Sequence, residues 1–70
     1  MYVIKRTVTY AGGDTFSNYY VDNSSLGEEF STKLSDAQKF ATKPEAELVM
    51  NSLSAARRKT ALLAVLPISA

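Results

Sequence analysis

The polar and apolar positions of this chain change period twice. Residues 2–10, Tyr-Val-Ile-Lys-Arg-Thr-Val-Thr-Tyr, are rich in β-branched and aromatic types and alternate with period two. That pattern suits a pleated strand. Tyr2, Ile4, Val8 and Tyr10 fall on one face, and Lys5, Thr7 and Thr9 on the other. Arg6 falls on the apolar face. Strand one therefore runs near a sheet edge, or Arg6 reaches out past its own stem.

Ala11-Gly12-Gly13-Asp14 reads as a hairpin turn, because a Gly-Gly pair accepts the positive φ angles of a two-residue type I′ loop. A second strand follows over Thr15–Asp22. With Gly12 and Gly13 as the loop, Tyr10 pairs with Thr15, Val8 with Ser17 and Ile4 with Val21. Tyr19 and Val21 then join the core face, and Phe16 and Tyr20 point away. A slip of one residue would exchange the two sets. Residues 22–27, Asp-Asn-Ser-Ser-Leu-Gly, are turn chemistry. Glu28–Lys33 reads as a short third strand with Phe30 inward.

The period then becomes helical. Leu34, Ala37 and Phe40 recur every three residues, with Ser35 and Gln38 as a capping pair. Thr42 and Glu45 form a stronger Thr-x-x-Glu capping box, and Pro44 sits in the first turn, where a missing N–H does no harm. Ala46, Val49, Met50, Leu53 and Ala56 form the buried stripe of a helix expected from about Lys43 to about Arg58. Acidic residues at its start and Arg57, Arg58 and Lys59 at its end suit the helix dipole.

Ala61-Leu62-Leu63-Ala64-Val65-Leu66 has neither period. As a continued helix it would be apolar all round, which a soluble monomer cannot hide. As a buried strand it ends naturally at Pro67. The strand reading makes the preceding helix a crossover, right-handed if strands three and four are parallel. The expected fold is α+β: a small twisted, mostly antiparallel sheet of β-β-β-α-β order, with one helix packed on one face, in a single domain over residues 1–70.

Composition changes this picture in two ways. The chain has no Cys and no His, which removes the best nucleophile, the commonest neutral-pH base and the usual metal ligands. Its carboxylates are scattered: Glu28 and Glu29 are strand neighbours facing opposite ways, and Glu45 serves its cap. We expect no enzyme activity, no catalytic residue, no metal and no cofactor. Gly12-Gly13 lacks the strand–glycine–helix setting and the Lys-Ser/Thr of a phosphate loop. The net charge of +1 is too balanced for an electrostatic nucleic-acid binder. Neither a signal peptide nor a bilayer-length apolar run is expected, so the expected setting is the cytoplasm.

The second change concerns surplus apolar surface. Both faces of the hairpin carry aromatics, and the last strand is apolar on both sides. One helix cannot cover all of that, so a second copy or a partner protein is the physical candidate. The partner-binding candidates are Lys5, Arg6, Phe16, Tyr19 and Tyr20 on the sheet, with Arg57 and Arg58 as the basic cluster. The preferred patch is the sheet face around Lys5, Phe16 and Tyr20 with one exposed edge. Two alternatives stand beside it: a single-strand nucleic-acid platform built on Tyr19, Tyr20 and Arg6, and a homodimer or larger homo-oligomer through Ala61–Leu66.

The Tyr2-x-Ile4-Lys5 opening, the Tyr19-Tyr20 pair and Asp36-Ala37 to Phe40-x-Thr42 and Glu45-Ala46 resemble small accessory proteins encoded by bacteriophages and prophages. The resemblance covers roughly residues 2–53. Many such proteins carry a Trp before the third strand, and this chain has none. What the resemblance implies is a class: a factor in the host cytoplasm that binds a host protein and inhibits or redirects it, in host takeover or anti-defence. It assigns no binding residue.

Overall fold

A computed structural model describes residues 1–24, 27–53 and 61–68. Strand β1 (Tyr2–Thr9) is followed by β2 (Thr15–Ser24), β3 (Gly27–Ser31), a short 3-10 turn (Leu34–Asp36), helix α1 (Lys43–Ser52) and β4 (Ala61–Pro67). The four strands form one open antiparallel sheet in the order β3-β2-β1-β4. The fold is a small α+β domain with one helix on the sheet. Residues 61–67 are a strand, and its partner is β1. Because β4 runs antiparallel beside β1 and not beside β3, the condition for a right-handed parallel crossover does not arise.

The hairpin register differs by one residue from the two-residue-loop expectation. Val8 pairs with Phe16 and Lys5 with Tyr19. The Gly13 N–H donates to the Tyr10 carbonyl at 2.9 Å, and the Tyr10 N–H donates to the Asp14 carbonyl at 2.8 Å. With Gly13 at φ +90°, this is a three-residue loop, Ala11–Gly13, in which a turn is closed by one left-handed glycine. The extra loop residue turns β2 over. Tyr20, Asn18 and Phe16 now share a face with Ile4, Arg6 and Val8, while Tyr19 faces the other way.

On that face Ile4, Tyr20, Phe40, Ala46 and Leu53 form the buried cluster, with Tyr2, Phe30, Val49, Met50, Leu63 and Val65 packed around it. The α1 stripe is the expected one as far as Leu53; Ala56 lies outside the described residues. Thr42 caps α1 by accepting the Glu45 N–H on its hydroxyl at 3.3 Å. Leu53 is already extended, at φ −75° and ψ 141°, so the helix stops at Ser52 and not near Arg58. The Ser35 and Gln38 pair makes no cap. The 3-10 turn has Lys33 at its N-cap with no side-chain bond, and the Gln38 N–H goes to the Tyr20 carbonyl instead.

That last bond belongs to a switch of strand partners. Tyr10–Asp14, Val8–Phe16 and Arg6–Asn18 have the alternation of bonded antiparallel pairs, which would next join Ile4 to Tyr20. Pairing between β1 and β2 ends instead at Lys5–Tyr19. Beyond it the Tyr20 carbonyl accepts from Gln38 at 3.0 Å, and Tyr2 and Phe40 exchange both main-chain bonds at 2.8 Å. The segment Gln38–Phe40 thus occupies the gap between the two strands, and a bulge at Val21 bends β2 away.

Candidate interaction surface

The pleat sends Ile4, Arg6 and Val8 toward α1, and Val3, Lys5, Thr7 and Thr9 to the opposite face. The register adds Ser17 and Tyr19 of β2, Ser31 of β3, and Leu62, Ala64 and Leu66 of β4 to that second face. One end of it is roofed. The Ser31 hydroxyl donates to Asp36 Oδ2 at 2.9 Å, so the Leu34–Asp36 turn crosses β2 on the side away from α1. Val3 and Ala37 are buried without belonging to the α1-side cluster, as a turn on that side requires. The crossing leaves a shallow depression of about 400 Å³ lined by Val21, Glu29, Phe30, Ser31 and Asp36.

The rest of the face is bare among the described residues. Thr7 Oγ1 and Ser17 Oγ form a hydrogen-bonded pair at 3.3 Å across β1 and β2. Beside them Leu62 is 70% exposed, Ala64 is exposed, and Tyr19, Lys5 and Leu66 are half-buried. An exposed leucine on β4, a tyrosine on β2 and the Thr7 and Ser17 hydroxyls between those strands give this face the mixture of apolar and polar groups found in interfaces.

The sheet has two edges, and they differ. On β3 the edge carries Glu28 and Glu29 and faces a bulged partner, both common ways of blunting an edge. On β4 the edge is Ala-Leu-Leu-Ala-Val-Leu-Pro, with no charge. The Ile68 N–H donates to the Met1 carbonyl at 2.9 Å, which makes Met1–Ile68 a bonded pair. By alternation Val3–Leu66, Lys5–Ala64 and Thr7–Leu62 are bonded pairs too. The N–H groups of Ala61, Leu63 and Val65 therefore point outward from the sheet. Pro67 shares their parity, so its missing N–H removes nothing from the bonds to β1.

The residues expected to form one patch are divided. Lys5 and Tyr19 lie on the bare face. Tyr20 is 4% exposed inside the α1-side core, and Phe16, 41% exposed, is on the α1 side as well. The expected patch around Lys5, Phe16 and Tyr20 is therefore not a single surface, and Tyr19 does not share a face with Tyr20 and Arg6 as one stacking platform would require. The register is the reason: Phe16 and Tyr20 have the parity of Val8 and Ile4.

Arg6 is on the α1 side in the central strand β1, so it neither marks an edge nor simply reaches solvent. Its guanidinium lies 3.8 Å from the centroid of the Phe30 ring, and its Nε donates to Asn18 Oδ1 at 2.9 Å. Phe30 meets Tyr20 edge to face at 5.9 Å. These are structural partners, and they hold the β3 side of the core together. Burial pushes the Tyr20 phenol above its ordinary value, with the nearby Asp22 and Glu28 adding to the rise. Arg57 and Arg58 lie outside the described residues.

The sequence offers Ala61–Leu66 as a self-association strand but does not place it at an edge of the sheet. The signal was available as an apolar run without charge, but its place in the sheet was not. Among the described residues no three His, Cys, Asp or Glu side chains gather as a metal site, and no helix is long and apolar enough to cross a membrane. No family model, curated protein or solved structure matches the chain.

Proposed function

We propose that this protein is a non-enzymatic binding module that docks a protein partner on the bare sheet face. The observation that carries the reading is the exposure of Leu62 and Ala64, with Lys5 next to Ala64 and Tyr19 across β1, on a face that α1 leaves uncovered. A sequence without Cys or His supports a role in recognition and not in catalysis. Among the described strand residues of that face Lys5 is the one cation, which favours a protein surface over a phosphate backbone. The phage resemblance suggests the class of target: a bacterial host protein that is occluded or redirected on binding.

The test is capture from bacterial lysate with the tagged chain as bait, with and without nuclease, run in parallel with Tyr19→Ala. Tyr19 is central on the face and remote from the β4 edge, so its truncation reports on the face alone. We expect one stoichiometric protein that survives nuclease and is lost with Tyr19→Ala. Capture that nuclease abolishes would transfer the reading to single-stranded nucleic acid. Capture that Tyr19→Ala leaves intact would remove the face from the mechanism.

A further inference from the structure

We infer that the outer edge of β4, which no described strand covers, pairs with the β4 edge of a second copy of this chain, joining two sheets into one. The inference stands on the edges and does not depend on the partner proposed above. Of the two edges, β3 carries carboxylates and faces a bulge, and β4 carries neither. An uncharged, unbulged edge is a template for another strand.

The occupant follows from the pattern of the edge. An antiparallel pair related by a two-fold axis at Ala64 places each Leu63 opposite the partner's Val65, and each Ala61 opposite the partner's Pro67. The outward N–H of Leu63 meets the carbonyl of the partner's Val65, and that of Val65 meets the carbonyl of the partner's Leu63. The N–H of Ala61 meets the carbonyl of the partner's Pro67. Pro67 needs no acceptor, so each outward donor of the strand is satisfied by a copy of the strand itself. The side chains agree. On the bare face Leu62 comes beside the partner's Leu66, and Ala64 beside the partner's Ala64, small against small at the axis and large against large at the ends. Leu62, 70% exposed in the single chain, gains its apolar neighbour. A charged peptide strand would satisfy the same main chain but leave Leu62 and Leu66 against polar groups. A second copy is the occupant whose side chains match, and two-fold pairing is the commonest form of self-association.

The experiment is sedimentation equilibrium of the untagged chain over a wide concentration range, together with amide hydrogen exchange at low and high concentration. We expect a species of twice the 7.6 kDa chain mass that dissociates on dilution. The Leu63 and Val65 amides should become protected as it forms, while those of the β3 edge do not change. Val65→Pro removes an outward N–H that β1 does not use, and by symmetry two hydrogen bonds across the axis. It should weaken the dimer roughly thirtyfold, the fold-change for two main-chain bonds at about 1 kcal/mol each. Leu62→Asp leaves the main chain untouched and should weaken the dimer too, which keeps the test open if Val65→Pro does not fold. A chain that is monomeric at every concentration overturns the inference. So does a dimer in which the Leu63 and Val65 amides exchange as freely as those of an open edge.

Discussion

Phe40 and Tyr2 exchange both of their main-chain hydrogen bonds at the level where β1 and β2 have parted. This short pairing makes Phe40 a one-residue strand in the sheet while its ring sits in the core under α1. The segment before it crosses β2 on the other side of the sheet, held by Ser31 and Asp36. Phe40 is therefore the point at which the chain passes from one face to the other.

Phe40→Ala should consequently be among the most damaging single changes, at about 3–5 kcal/mol for a buried Phe. In a chain this small that is much of the total stability. Urea unfolding followed by circular dichroism measures it. A loss below about 1 kcal/mol would show that the strand gap is held without the ring.

Arg6 offers a separable test, because Phe30 and Asn18 both meet it through their side chains. Lysine at this position keeps the charge but loses the flat guanidinium over Phe30 and the Nε–H bond to Asn18, which is itself only 5% exposed. Arg6→Lys should destabilise by about 1–2 kcal/mol. A double-mutant cycle with Asn18→Ala should recover part of that as coupling. Additive effects would mean that the two residues act independently.

The hairpin loop contains two glycines with unlike demands. Gly13 has φ +90°, and an added Cβ there meets nothing, so only the backbone conformation resists a side chain. Gly13→Ala should destabilise by about 1 kcal/mol. Gly12 is not among the positive-φ glycines, so Gly12→Ala should be neutral or stabilise by up to about 1 kcal/mol through the unfolded chain. Thermal melts should place Gly13→Ala below the parent and Gly12→Ala at or above it. A two-residue type I′ loop, which needs positive φ at both positions, would make both harmful.

Tyr20 gives the pH dependence. Burial first, then Asp22 and Glu28, raise its phenol above the unfolded value of 10.0. A raised folded value means that folding favours the neutral phenol. This contribution is therefore fully present below pH 10 and is lost as pH rises through the folded value. Unfolding free energy measured from pH 8 to 11 should fall at the alkaline end, and the fall should be smaller in Tyr20→Phe. An identical alkaline slope in the two proteins would show that the phenol contributes nothing.

Much of this architecture is local and can be read from the residues. Thr42, Pro44 and Glu45 start α1 because a cap and its first turn involve only neighbouring positions. Tyr2–Thr9 is a strand because alternating β-branched residues suit a pleat, and residues 61–67 are a strand because a helix of that composition would have no polar face. The hairpin register was not local. Ala11-Gly12-Gly13-Asp14 accepts a loop of two residues or of three, and the two differ little in turn chemistry. Their difference lies in whether Tyr20 or Tyr19 is placed beneath α1, beside Phe30 and Phe40. The same holds for β4. Its apolar run was visible, but its position on the outside of β1 depends on β2 having taken the other side of that strand. Elements follow from contacts a few residues apart, whereas faces and edges follow from pairings across the whole chain. A parity of one residue, settled only by packing, decides which aromatics enter the core and which lie on the bare face.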